Sequence, residues 1–291
     1  MMTAHRDIWA DWVLTRRFGS KQDAERYLSI LAPVRERLLD SAALADHETL
    51  LDVGCGDGFV GFGALTRTPT ARVIFSDISQ ELLDRVREVA SDAGVADQCR
   101  LLKAPVEDLS AVQTGSVDAV IMRSVLIYVE AKEQAIRECY RVLKPGGRLA
   151  AFEPVNGFRY PEPPNLLWGY DVTPVTDLSR RIKAVYQRIQ DPSRDPMFDF
   201  DERSLLAHAE KAGFAEVHVD ARFESKWEES LLDWDTLISA AGNPRIPTLA
   251  EAMEQALTLD ERAVFIAHLR PLVETQPRKV ETEHVYLWGT K

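Results

Sequence analysis

The sequence predicts an α/β fold built on an open, doubly wound sheet, and two stretches carry that prediction. In the first, Thr49-Leu50-Leu51-Asp52-Val53 is a short apolar run of strand length. It stops in glycines at alternate positions, Gly54, Gly56 and Gly58, and a helix-forming run resumes at Phe59. Strand, glycine turn and helix make the first half of a βαβ unit whose turn lets a ligand approach backbone. The second stretch, Ala71-Arg72-Val73-Ile74-Phe75-Ser76-Asp77, is another apolar strand, and it ends in an acid.

The order of residues in these stretches narrows the ligand. An acid precedes the glycines, giving Asp-x-Gly-x-Gly-x-Gly over residues 52–58. A dinucleotide turn reads Gly-x-Gly-x-x-Gly and aims a helix N-terminus at a pyrophosphate. Here Asp57 lies inside the turn, where its charge would repel phosphate. Asp77 is placed to accept hydrogen bonds from both hydroxyls of a ribose, and the apolar Ile78 can pack on an adenine face. A cationic ligand with a ribose, an adenine and no phosphate fits better than NAD.

These residues resemble the class I S-adenosylmethionine-dependent methyltransferases, in the branch that acts on small molecules. The resemblance is strongest over residues 48–154 and weaker over 200–224. It implies a Rossmann-like sheet of about seven strands, the last antiparallel, with N-terminal helices and helical insertions after strands 5 and 6. It also implies S-adenosyl-L-methionine as cofactor and S-adenosyl-L-homocysteine as product. In the family the glycine turn cradles the methionine part and the acid ending the second strand holds the ribose. Carried over, the contacts are Asp52, Gly54, Cys55, Gly56, Gly58, Asp77 and Ile78. Val106 and Glu107 follow for the adenine loop, and Arg123 for the end of the fourth strand. Pro105 stands where the family often has an Asp, so the adenine amino group must be met by Glu107, Asp108 or backbone.

Residues 1–47 read as helical and, by the resemblance, as a lid over the cofactor. Ile8, Trp9, Trp12, Val13 and Phe18 form an apolar stripe beside Arg16 and Arg17. Trp12 would exclude water and Arg16 would meet a carboxylate. A second helix is expected from about Asp23 to Leu39, kinked or divided at Pro33. The remainder, 48–291, is expected as the methyltransferase domain.

Ser79 is a good N-cap, and Leu82, Leu83, Val86 and Val89 give a helical face ending at Gly94. Residues 99–104 read as a third strand and Ser116–Tyr128 as a fourth running into a turn. A helix follows over Glu133–Leu143, then a tight turn at 144–148 and a fifth strand, Leu149–Pro154. The insertion at about 155–200 is rich in aromatics and proline, and Tyr160, Trp168 and Tyr170, with Tyr128, are candidates to line the acceptor pocket. A helix over Asp177–Ile189 shows a basic face. Beyond Asp201–Ala212, a sixth strand starts near Val217 and a closing strand spans Glu283–Gly289. Between them, the insertion at about 226–280 reads as a helical cap, with capping boxes at Thr248/Glu251 and Thr258/Glu261.

Methyl transfer asks the protein mainly to align acceptor, methyl and sulfur, with a general base where the acceptor carries a proton. Candidate bases are Tyr128, Glu153 and His5. The fourth strand ends in Arg123-Ser124-Val125-Leu126, without the Asn/Asp-Pro-Pro-Tyr of nitrogen methylators. Arg123 is the wrong charge for Mg²⁺, and no metal is expected. The net charge of −11 disfavours nucleic acid, and no apolar run approaches the ~20 residues that cross a bilayer. Three cysteines without metal-like spacing fit a reduced, cytoplasmic compartment. The expected partner is a small, partly apolar acceptor, on a monomer or homodimer, with quinone-type C-methylation as one alternative. A cofactor-binding protein without transferase activity is the other.

Overall fold

The computed structural model describes residues 7–17 and 21–291, the side chains of residues 21–28 and 159 excepted. His5 and Phe18 therefore lie outside the described residues, as do the side chains at the start of the second helix. The chain forms two compact units. One gathers Leu28–Val155, Phe200–Arg222 and His284–Lys291; the other gathers Met1–Tyr27, Asn156–Asp199 and Phe223–Glu283.

The first unit is organised by the sheet. Its strands are β1 (Thr49–Val53), β2 (Arg72–Asp77), β3 (Cys99–Lys103), β4 (Val117–Arg123) and β5 (Leu143–Pro154). The seven-stranded sheet runs β3-β2-β1-β4-β5 and is completed by β9 (Arg278–Thr290) and then β8 (Glu216–Glu228). β1 to β5 are parallel, while β9 lies antiparallel to β5 with Phe152 opposite Tyr286. The predicted class and the antiparallel closing strand are both present. β8 and β9 are longer than expected and run on past the unit boundary. β5 also starts earlier, at Leu143, and the expected Lys-Pro-Gly-Gly turn is a bulge within it, where pairing jumps from Val117↔Leu143 to Ala119↔Arg148.

β1, β2 and β4 are buried along nearly their whole length, so both faces of the sheet are covered. Leu50, Val73, Phe75, Ile121 and Phe152 pack with Leu38 and Leu39. Fully burying a side chain such as Phe75 contributes on the order of 2–3 kcal/mol. Leu38 and Leu39 belong to the helix α2 (Lys21–Ala42), which runs unbroken through Pro33; the expected division there does not occur. Arg37 lies 3.8 Å above the Tyr286 ring and pairs with Asp220 at 2.5 Å, tying the helix to the sheet. The helix α3 (Phe59–Arg67) follows β1, and α4 (Gln80–Asp92) follows β2. Ser79 caps α4, its Oγ accepting from Leu82 N at 3.1 Å.

α5 (Lys132–Val142) and α7 (Glu202–Ala212) complete the first unit, and the second is mainly helical, with α1 (Ile8–Asp11), α8 (Trp234–Ser239) and a short antiparallel pair, β6 (Leu166–Leu167) and β7 (Tyr170–Asp171). α6 (Thr176–Ile189), α9 (Leu249–Ala256) and α10 (Leu259–Thr275) enclose a core of Tyr170, Ile182, Val185, Trp234, Phe265 and Leu269. Both capping boxes form, with Thr248 and Glu251 at α9 and Thr258 and Glu261 at α10. The basic face of α6 is ion-paired: Arg181 to Glu261, Lys183 to Glu162 and Arg180 to Asp177.

Candidate cofactor site at the sheet edge

The turn after β1 holds three glycines in the left-handed region, with φ of 60° at Gly54, 57° at Gly56 and 85° at Gly58. Residues with a Cβ are strained there. At Gly54 a Cβ would also lie 2.5 Å from Cγ2 of Val125. At Gly56 it would meet nothing within 4 Å, so this peptide faces open space.

Carboxylates hold the turn. Asp77 Oδ2 accepts from Gly56 N and Oδ1 from Ser79 N, each at 2.9 Å. The Cys55 N–H donates to Ser76 O at 3.0 Å, so the turn is pinned to the end of β2. Asp52, only 2% exposed, accepts from Gly61 N at 2.8 Å and anchors the first turn of α3. Burial pushes its pKa up to about 7 despite that hydrogen bond and the nearby Arg123 charge, and Asp77 and Asp57 push it further. Asp52 thus supports the turn from behind. The Cys55 thiol is likewise buried and its pKa raised, first by desolvation. It is a packing group.

Ile78 follows Asp77 and is 45% exposed, an apolar surface beside an acid. The loop of Val106 and Glu107 reaches the same edge through Ala104 N, which donates to Asp77 O at 3.1 Å. Val106 is buried and Glu107 half-buried, while Asp108 Oδ1 accepts from Ser110 N.

A second turn lies beside the first, at the end of β4. Arg123 and Tyr128 are half-buried there, and Ser124 takes a φ of 57°. Glu153, 1% exposed, accepts from Val125 N and Leu126 N at 2.9 Å and from Ile127 N at 3.1 Å. Its pKa rises to about 7 because desolvation outweighs the three N–H groups and the nearby Lys132. Both carboxylate oxygens are engaged by backbone, so Glu153 shapes the turn and is withdrawn as a base.

One edge thus assembles Asp52, Gly54, Cys55, Gly56, Gly58, Asp77, Ile78, Val106, Glu107, Arg123 and Tyr128. Glu153 lies in the same unit, and the remaining described candidates, Trp12, Arg16, Tyr160, Trp168 and Tyr170, belong to the other. Trp12 is buried, its Nε1 donating to Ala241 O at 2.7 Å. Arg16 pairs with Glu251 at 2.6 Å and lines a hollow of about 490 Å³ with Arg245 and Ile189. Tyr160 packs on Phe198 and Trp168 on Tyr186. Tyr170 is 3% exposed inside the helical core, so burial makes it a packing residue, not a pocket wall.

Sequence reasoning missed Gly61 and Val125. A Cβ on Gly61 would sit 2.3 Å from Cε1 of Phe75 and 2.9 Å from Asp52 Oδ2, so the helix approaches β1 and β2 too closely there for any side chain. Its signal was available: a glycine in an otherwise apolar helical run. Val125 gave none, because its role is set by Gly54 on another strand.

Among the described residues no group of three or more His, Cys, Asp or Glu is placed to hold a metal ion. No described helix is long and apolar enough to cross a membrane.

Comparison with known proteins agrees with this geometry. A family model described as a methyltransferase domain matches residues 51–151. Over those residues the chain carries a methyltransferase domain, and with this sheet it is similar to the class I S-adenosylmethionine-dependent methyltransferases. It is 35% identical over 136 residues to the ubiquinone biosynthesis O-methyltransferase of Xanthomonas oryzae, covering 47% of this chain and 55% of that one. It is 30% identical over 218 residues to the arsenite methyltransferase of Halobacterium salinarum, covering 71% of this chain and 48% of that one. The chain spans about half the length of these curated relatives. Among solved structures, the geranyl diphosphate C-methyltransferase of Streptomyces coelicolor, in complex with Mg²⁺, geranyl diphosphate and S-adenosyl-L-homocysteine, shares the fold. The TM-score is 0.51 at 19% identity, over 89% of this chain and 78% of that one.

Proposed function

We propose that this protein transfers a methyl group from S-adenosyl-L-methionine to a small, partly apolar organic acceptor by direct displacement. The observation that carries this reading is the Gly56 peptide, held by Asp77 and facing open space. Glycine at 56 leaves room for the methionine portion, and Asp77 has lone pairs left to accept from ribose hydroxyls. Ile78 offers its exposed face to the adenine, with Val106 and Glu107 along its rim. The cofactor's sulfonium supplies an electrophilic methyl. The protein's part is to orient the acceptor and, for a hydroxyl or carbon acceptor, to take up its proton. With Glu153 withdrawn, Tyr128 is the described candidate for that proton.

Calorimetric titration with S-adenosyl-L-homocysteine tests the reading. Wild type is expected to bind, and Asp77→Ala to bind about 10–100-fold more weakly, the scale of charged hydrogen bonds lost. A folded wild type that does not bind overturns it. The relatives suggest the first acceptors to screen with the methyl donor present: a hydroxylated quinone precursor, then arsenite.

A further inference from the structure

β8 is the outermost strand of the sheet, so one side of its backbone has no strand partner among the described residues. Exposed edges are usually blunted by shortness, proline or a covering element. β8 is 13 residues long and contains no proline, and every residue from Arg222 to Trp227 is exposed. Its aromatics are open to solvent, Phe223 at 55% and Trp227 at 62%. Phe223 is already packed on one side by Phe158, with ring centroids 5.1 Å apart.

The residues alternate in a particular way. One face of the strand carries Phe223, Ser225 and Trp227; the other carries Arg222, Glu224, Lys226 and Glu228. The charges alternate in sign along that face. Among the described residues Lys226 pairs with its strand neighbour Glu224 at 3.4 Å and Arg222 with Asp220 at 3.6 Å, Ser225 donates to Glu281 at 3.2 Å, and Glu228 accepts from Ser230.

Such a strand is complementary to itself. We propose that the outer edge of β8 pairs antiparallel with the β8 of a second copy of this chain, about a twofold axis at Ser225. Ser225 then faces Ser225, Glu224 faces Lys226, and Arg222 faces Glu228, each charge pair occurring twice. On the opposite face Phe223 meets Trp227, also twice, as aromatic cross-strand pairs do. The two sheets become one continuous sheet.

The register follows from the charges. A twofold axis normal to the sheet must pass through a residue, since facing side chains share a face. Moving it by one residue sets Glu224 against Glu224 or Lys226 against Lys226. Moving it two residues, to Phe223, brings in Asp220, which Arg37 already holds. The axis at Ser225 matches the two ends of the exposed run, setting Phe223 against Trp227 and Arg222 against Glu228.

Sedimentation of the full chain over a concentration series tests this, with cross-linking as an independent reading. Wild type is expected to dimerise reversibly. Glu224→Lys places lysine against Lys226 twice and should weaken the dimer about tenfold or more. The double swap Glu224→Lys with Lys226→Glu should restore it, because the pair is then reversed but still opposite. The same swap would be repulsive with the axis at Phe223. Ser225→Cys should give a disulfide-linked dimer on mild oxidation, whereas Lys226→Cys should not. A wild type that stays monomeric up to about 100 µM overturns the proposal. So does a dimer indifferent to Glu224→Lys, or one in which Phe223→Cys cross-links and Ser225→Cys does not.

Discussion

Two turns lie side by side at the C-terminal edge of the parallel strands, and they are built in opposite ways. The turn after β1 uses three glycines and leaves the Gly56 peptide facing open space, with Asp77 holding it from one side. The turn after β4 uses no glycine, and Glu153 takes up three successive N–H groups. The first is an open cradle with nothing in front of Gly56, although its N–H groups at 55, 56 and 58 are bonded within the fold. The second is a clamp whose backbone is already committed. The same chemistry, a buried carboxylate against peptide N–H, stands behind open space in one case and a fixed wall in the other. What decides is whether side chains or open space stand in front of the peptide.

The largest effect expected from this contrast is at the clamp. Glu153→Ala leaves three buried N–H groups without an acceptor, each worth about 1–3 kcal/mol, partly offset by relief of the carboxylate's desolvation. A net loss of about 3 kcal/mol in urea unfolding is expected. Glu153→Gln, which keeps an acceptor for Val125 and Leu126, should lose less. A Glu153→Ala protein within about 1 kcal/mol of wild type would break the distinction.

Next come the glycines. Gly54→Ala and Gly56→Ala each incur about 1 kcal/mol of backbone strain at positive φ. Only Gly54→Ala adds a clash with Val125, for a total of about 2–3 kcal/mol, and Val125→Ala should relieve it. Gly56→Ala should instead keep most stability and lose S-adenosyl-L-homocysteine affinity, since its methyl fills the open space. Stability curves and titrations on the same two variants separate wall from cradle.

The smallest effect is in pH. Asp52 has its folded pKa raised to about 7 from 3.8, so the folded state binds more protons than the unfolded one between those values. Its contribution to stability is full below the unfolded value and is lost as pH rises through 7. Asp52→Asn keeps an acceptor for Gly61 without the ionisation. Between pH 5 and 8 wild type should therefore lose about 2 kcal/mol more than Asp52→Asn, read from urea midpoints at four pH values.

The cradle was legible in the sequence because its determinants are local. Glycines at 54, 56 and 58 and an acid ending the next strand are patterns within one βαβ unit. The capping boxes of α9 and α10 were legible for the same reason. The clamp was not, since Glu153 meets Val125 across 28 residues of chain and two strands. Nor was the burial of Tyr170, which depends on α6 and α10 enclosing it. Pro33 misled because proline propensity predicts a break that packing of α2 against the sheet overrides. The length of β8 was hidden too: its outer half is mostly polar, and its strand form depends on β9, far along the chain.

The near contact between Gly54 and Val125 sets terms for anyone redesigning this edge. A library across 123–128 would not explore six equal positions. Val125 abuts Gly54, so larger residues there push directly on the glycine. Leu126 and Ile127 are buried, and Ser124 sits at a φ that few side chains tolerate. Diversity is better concentrated at Arg123 and Tyr128, with 124–127 treated as frame.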